Sequence, residues 1–486
     1  MLTPSTTAKE MPKRKAKIYY TAMDDFWRKE EKLAWLRENP IHRIAFESIT
    51  PDEKHNWINQ TDNNWESLIP MIDKEVKLGR TEEAIFKLFS LGVVTARDEW
   101  VYGFNEEFVA QQVQFLIDSY NVDLVEFQGM TKEKIKETIS KRSRQEIKWT
   151  RAVIDDIAAG KEYRFDGVNF RIAAYRPFVD KLLYFSADLN EMQYQLPRIF
   201  GDGKNPSVNF LCVNSSNELA VLGSDRVFDY CYLKMGNGGT QSAPKYSYDS
   251  DGNRQDNITD WAVEEFARRG ARGLTKEDIF HYVYAVLHYP PYREKYGQNL
   301  KREFPRIPVY ENARDWTALG KELMELHLNY ETVELFGLRR VDLDAAAGVR
   351  TRSGSEGSLK TAGAKGTKTK NPVATAPGSD SEPFVSKART RLVADKVKGI
   401  IEIDTYTRLE GVPAIAWEYK LGNRSALEWV LDQYKERKPK DPTIAEKFNT
   451  YKFADYKTQV IDLLKRVCTV SVKTMEIINL MPDTEA

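Results

Sequence analysis

The chain has 486 residues, with 72 Lys and Arg against 72 Asp and Glu, so it is formally neutral and too long for a single core of ordinary size. Hydrophobic residues at 41% and charged residues at 30% suit a folded globular protein, and no apolar run approaches the ~18 residues of a membrane-spanning helix. Cys212, Cys231 and Cys468 lack CxxC spacing, which argues against a disulfide framework or a zinc site, and neutrality leaves any nucleic-acid binding to local basic patches.

Residues 1–17 are polar and basic with no apolar stretch after them, so they read as a disordered tail rather than a secretory signal, and a cytoplasmic protein is expected. Ile18–Tyr20 predicts a short strand feeding a helix, with Thr21 and Asp24 at capping-box spacing and Phe26, Leu33 and Leu36 on one face. Ile44–Phe46 and Leu91–Thr95 are further strand candidates, and residues 105–157 are helical in period. From 165 to 235 short alternating runs at Val168–Ile172, Leu182–Phe185, Asn209–Val213 and Val227–Leu233 predict antiparallel strands and turns.

Helices follow. Asn257 is expected to cap one, Thr275 with Asp278 another, Pro290 and Pro291 to open a third, and Trp316, Leu319, Leu323 and Leu326 to mark a fourth. Residues 345–388, rich in Ala, Gly, Ser, Thr, Lys and Pro, cannot bury enough apolar surface to offset their ordering entropy and read as a disordered insertion. Beyond them come a strand at Gly399–Ile403, a helix capped by Ser425 and Glu428, and a closing apolar stripe from Val460 to Ile478. The fold class expected is mixed α/β of the α+β kind.

Several short sequences imitate catalytic signatures. Pro290-Pro291-Tyr292 is the PPY of the amino-methyltransferase (N/D)PPY motif, but Tyr289 stands where Asn or Asp must be and the segment lies between two helices. The Asn-Pro pairs beginning at Asn39, Asn205 and Asn371 continue with Ile, Ser and Val. Phe200–Gly203 and Gly236–Gly239 read as turns rather than as cofactor loops between strand and helix. Asp404 with Glu418 and Lys420 has the residue types of a metal-dependent nuclease, which chance also supplies in so charged a chain.

A series of local sequences then carries a resemblance. DFWRKEEK at 25–32, LGVVTARDEW at 91–100 and Trp149-Thr150-Arg151 come first; AYRPFVDKLLYF at 174–185, QLPRIF at 195–200, NITDWAVEEF at 257–266, the long run at 278–308 and GNRSALEWVLDQY at 422–434 follow in order. Together these resemble the C-terminal, target-recognition end of type ISP restriction-modification enzymes, which join nuclease, helicase-like motor, adenine methyltransferase and recognition domain. The resemblance implies a closing methyltransferase segment and connector at 18–155, and a target-recognition domain at 156–344 and 389–486 interrupted by the insertion. It implies sequence-specific binding to double-stranded DNA, with no catalytic or metal-binding residue here and S-adenosylmethionine bound on a methyltransferase half that this sequence does not contain. The partner would be a methyltransferase, helicase or nuclease subunit or upstream domains.

A DNA-reading module needs basic residues for phosphates. The first candidates are Arg293, Lys295, Lys301, Arg302 and Arg306, opposed only by Glu294 and Glu303 for a local charge of +3. Tyr292, Tyr296 and Leu300 at helical spacing predict a packed stripe beneath them. Next come Arg176, Lys181 and Arg198 among tyrosines, then Asn423 and Arg424 before a capped helix. The competing readings are a stand-alone nuclease on Asp404, Glu418 and Lys420, and a scaffold that docks to a partner without touching DNA.

Overall fold

The computed structural model describes residues 17–23, 27, 29–52, 55–57, 61, 63–142, 147, 149–201, 203–213, 218–233, 238–343 and 388–484. The expected tail at 1–17 and insertion at 345–388 thus lie outside the described residues, apart from Lys17 and Ala388 at their edges. The chain forms two compact units, Met1–Trp65 and Glu66–Ala486.

In the first unit Ile18–Tyr20 is a strand, as the sequence predicts, paired antiparallel with Glu47–Ile49. The second strand starts beyond the expected Ile44–Phe46, because Ile41–Arg43 closes a single 3-10 turn after Pro40. Asp24 and Phe26 lie outside the described residues. Leu33 and Leu36 sit on the helix Lys29–Glu38, which buries none of its residues.

The second unit is a mixture of helices and small antiparallel sheets. One four-stranded sheet takes the order Ser90–Leu91, Gln241–Pro244, Ser207–Leu211, Ala220–Ser224, and a second the order Arg339–Asp342, Thr407–Glu410, Ile400–Asp404, Thr390–Asp395. A three-stranded sheet places Val179–Tyr184 between Tyr102–Gly103 and Phe170–Arg176. The helical stretch expected at 105–157 is three helices, Glu106–Glu126, Lys132–Ser140 and Arg151–Ala158.

Local signals set many element ends. Thr275 and Asp278 form a reciprocal capping box for Lys276–His288, Ser425 and Glu428 do so for Ala426–Gln433, and Pro290 opens Pro290–Leu300. Long-range contacts moved others. Thr259, not Asn257, caps Asp260–Arg268, its hydroxyl accepting from Ala262 N at 3.0 Å. The buried Asn257 amide instead accepts from Leu88 N at 2.7 Å and donates to Leu88 O at 2.9 Å, pinning a segment 169 residues away. Val227–Leu233 does not form the expected strand, because Asp229 accepts from Cys231 N at 2.8 Å and turns the backbone there.

The helix Lys276–His288 is buried along almost its whole length and packs on Ala313–Leu328. Gly320 permits that approach, since a Cβ there would lie 1.9 Å from the His281 carbonyl oxygen. Gly320→Ala is therefore expected to force the two backbones apart and cost about 1–3 kcal/mol or more, read as a lower urea midpoint at unchanged slope. A variant as stable as the parent would show that the two helices part freely. At the other end of the packed pair the Tyr284 hydroxyl accepts from Gly223 N at 2.7 Å and lies 2.6 Å from His327 Nδ1, while His327 Nε2 lies 2.9 Å from Thr474 Oγ1. Burial pushes His327 down to about 3, so it stays a neutral structural link between two helices and the sheet.

Candidate nucleic-acid interface

The three-stranded sheet forms the floor of a cleft of about 830 Å³. One wall comes from residues 96–105 and the start of Glu106–Glu126; the other comes from the segment 433–456 that follows Ala426–Gln433. Arg97, Arg176, Lys181, Lys435, Arg437, Lys438 and Lys440 line it, against Asp98, Glu99, Asp441 and Asp455. The cleft is thus cationic although the whole chain is neutral.

Two cations share one aromatic ring on the floor. The Arg176 guanidinium stands 4.0 Å and Lys181 Nζ 3.9 Å from the centre of the Tyr175 ring, and Lys181 also lies 5.0 Å from that of Phe104. Arg176 pairs with the buried Asp229 at 2.7 Å, and Asp229 also accepts from Tyr102 OH at 3.2 Å. Burial against these groups raises Asp229 to about 6, with Arg176 pulling the other way. Lys181 forms no ion pair with a described carboxylate. Burial, then the neighbouring Arg176 charge, brings it down to about 8.

The walls hold each other in place. Glu99 accepts from the backbone N–H of Lys440 at 2.9 Å and of Asp441 at 2.7 Å, and Trp100 Nε1 donates to Asp441 at 3.0 Å. Phe104 stacks on Tyr434 with ring centres 4.9 Å apart and lies 5.7 and 5.4 Å from Tyr451 and Tyr456. These interactions fix the backbone of the basic loop and leave its side chains to project. Arg437 pairs with Asp432 at 2.7 Å, whereas the side chains of Lys435, Lys438 and Lys440 have no ion pair or hydrogen bond among the described residues. Deeper in, Arg97 Nη2 donates to Thr150 at 2.9 Å while its Nη1 is buried without a partner.

Of the residues that the sequence singled out, the fold brings only Arg176 and Lys181 into this cleft. Arg198 is exposed on Leu196–Phe200, its Nη1 3.3 Å from Gln195 Oε1. Tyr292, Tyr296 and Leu300 form the buried stripe that their spacing predicts, but the basic residues around them diverge. Arg293 turns inward and donates to Leu287 O at 2.7 Å, and Arg306 pairs with Glu66 at 3.2 Å. Lys295 lies 5.4 Å from the Tyr296 ring centre, Lys301 is exposed, and Arg302 is half-buried. Asn423 is exposed on its turn, and Arg424 pairs with Asp432 at 2.9 Å.

The nuclease-like set does not assemble around one point of open carboxylates. Asp404 pairs with Lys457 at 2.7 Å and accepts from Tyr406 N and Thr407 N, each at 2.8 Å. Glu418 and Lys420 instead line a second recess with Arg293 and Lys301. Among the described residues no group of three His, Cys, Asp or Glu is placed to hold a metal ion. What sequence reasoning missed is the loop Lys435–Lys440, which carries four basic residues in six and follows a capped helix. That density was the available signal.

Residues 84–463 match the family described as the type ISP C-terminal specificity domain. Comparison with curated proteins gives no match. Among solved structures, the DrdV–DNA complex is similar with a TM-score of 0.80 and 42% identity, covering 96% of this chain and 43% of that one. A nuclease-deletion mutant of the type ISP restriction-modification enzyme LlaGI, in complex with a DNA substrate mimic, gives 0.73 and 26%, covering 96% and 39%. The ATP-dependent type ISP enzyme LlaBIII bound to DNA shares the fold, at 0.68 and 23%, covering 90% and 26%. The chain therefore spans less than half the length of each of these three solved chains.

Proposed function

The chain belongs to the type ISP C-terminal specificity domain family, and from that premise we propose that it binds duplex DNA in the cationic cleft and sets the sequence at which a type ISP system acts. The observation that carries the reading is the cleft itself: a rigidly held loop presenting unpaired lysines opposite a floor of aromatic-backed cations. Exposed lysines suit phosphates, which position the duplex, while planar groups on the floor suit base edges. That LlaGI and the 42% identical DrdV chain were solved with DNA supports the same assignment.

Methyl transfer, with S-adenosylmethionine as donor and an adenine flipped from the duplex, is assigned to a companion methyltransferase domain or subunit. Gly201 supports that division: it closes the helix Leu196–Phe200 with φ of 52°, so this glycine follows a helix and not the strand that a cofactor loop requires. Among the described residues no helix is long and apolar enough to cross a membrane.

The test compares two basic surfaces. Lys438 and Lys440 changed together to Ala should weaken binding to specific and random duplexes alike and reduce the log–log salt slope by about 0.9 for each phosphate that is no longer neutralised. Changing Lys301 and Arg302 to Ala should leave both quantities close to those of the parent. Fluorescence anisotropy at several salt concentrations decides it. An unchanged slope in the loop variant, with a lowered slope in the helix variant, would move the phosphate track to Pro290–Leu300.

A further inference from the structure

A second recess, of about 520 Å³, opens between Pro290–Leu300, the residues 418–422 and the C-terminal helix Phe453–Asn479. Its residues are distinct from those of the cationic cleft. Its apolar lining includes Cys212, Leu219, Leu300, Met475 and Ile478. Among its polar lining, His288 Nε2, Gln298 Oε1 and two donors, those of Arg293 and Tyr419, are incompletely matched by the fold. Arg293 donates through Nε to Leu287 O, and no described carboxylate forms an ion pair with its guanidinium. Tyr419, only 3% exposed, carries a buried hydroxyl with no hydrogen-bond partner.

The Tyr419 ring stacks on His327 with centres 5.5 Å apart and planes 11° apart, which fixes the plane of the phenol ring. Glu218, Glu294 and Glu418 also line the recess, but all three are exposed, as are Lys301 and Lys420. Folded interiors rarely leave a donor orphaned or a cation unpaired, and a recess of this size with both apolar and polar lining is of the kind that takes a small molecule. The Glu218 charge acts on Arg293 from a distance, but neither the Arg293 terminal nitrogens nor the Tyr419 hydroxyl has an anionic acceptor within hydrogen-bonding reach among the described residues.

We propose that this recess binds an oxyanion carried on an apolar body, the anionic group seated on the Arg293 guanidinium and the Tyr419 hydroxyl and the body lying against Leu300, Met475 and Ile478. Phosphate is the chemistry that satisfies a guanidinium and a hydroxyl donor together. Burial weakens the hold of Arg293 on its proton, and a bound anion reverses that effect. The site stands independently of DNA binding in the cleft, since it rests on other residues and a different set of unmet donors.

Gly297 gives a clean way to close the recess. It lines the space, sits inside a helix, and an added Cβ would meet nothing within 4 Å, so Gly297→Leu fills the volume without a clash and raises helix propensity. The probe is phenyl phosphate, titrated calorimetrically into the full chain. Saturable binding is expected at about millimolar affinity or tighter, weakened at least about tenfold in Arg293→Met and several-fold in Tyr419→Phe, and abolished in Gly297→Leu with no fall in melting temperature. Repeating the titration with a saturating short duplex separates the sources of the anion: retained binding identifies a free phosphorylated ligand, and displacement identifies a DNA backbone phosphate. Absence of saturable binding to the parent, or equal binding by the parent and Gly297→Leu, overturns the proposal.

Discussion

Asp123→Ala is expected to lower the stability of the second unit by about 3–5 kcal/mol, the cost of breaking a buried ion pair by removing its carboxylate. Arg142 reaches Asp123 through both terminal nitrogens, at 2.7 and 2.6 Å, and both side chains are close to nine-tenths buried. The same carboxylate accepts from Trp149 Nε1. One short side chain thus ties Glu106–Glu126 to the turn after Lys132–Ser140 and to the residue before Thr150, the N-cap of Arg151–Ala158.

The aromatic packing nearby depends on that anchor. Trp149 meets Tyr120 edge-on at 5.9 Å, and Tyr120 stacks on Tyr163 at 3.6 Å. Truncation takes the carboxylate away from a buried guanidinium, which keeps the Ile147 carbonyl oxygen at 3.1 Å, and removes the acceptor of the buried Trp149 indole N–H, so the loss exceeds that of an ordinary exposed ion pair by several-fold. Asp123→Asn keeps an acceptor oxygen and should cost less. Urea unfolding of the three proteins checks the order; an alanine variant within about 1 kcal/mol of the parent would mean that Arg142 finds water or another acceptor at no cost. Because Trp149 and Thr150 line the cleft, a destabilised variant that still folds should also bind DNA less tightly.

How much of this was legible in the sequence depends on the distance over which each signal acts. Capping boxes at Thr275 and Ser425 involve residues three apart, so they were readable, as was the stripe of Tyr292, Tyr296 and Leu300. Asn257 was misread because its local position suits a cap while its true partners lie near Leu88 and Pro244. The net charge of 292–306 was readable, but not that Arg293 would turn inward while Arg306 found Glu66, 240 residues away. The cleft is harder still. It joins segments near 97, 176 and 437 that no periodicity connects, and the one strong linear clue was the basic run after a helix end.

Lys181 is where the cleft should reveal itself through pH. Its ammonium is charged below about 8, whereas an unburied lysine keeps its proton to about 10.5. The free fold therefore carries a desolvation penalty below pH 8 that is relieved as pH rises from there to about 10.5, so this group makes the unbound protein more stable toward alkaline pH. DNA acts in the opposite sense. A phosphate beside Lys181 favours the charged form, and above pH 8 binding must then take up a proton, so affinity is expected to fall by up to about tenfold per pH unit. The groups facing Lys181 are Arg176, Asp98, Asp229 and Arg437, and burial raises Asp229 only to about 6, below the window. Tyr175 is held above its ordinary range by burial. Lys181→Arg keeps the charge throughout and should bind DNA independently of pH between about 7 and 9.5. Lys181→Met should bind about 10–100-fold more weakly at neutral pH and also show no slope. Anisotropy titrations at constant ionic strength separate these cases. A parent and a Lys181→Arg variant that lose affinity in parallel would place the titrating group elsewhere and remove Lys181 from the DNA-binding surface.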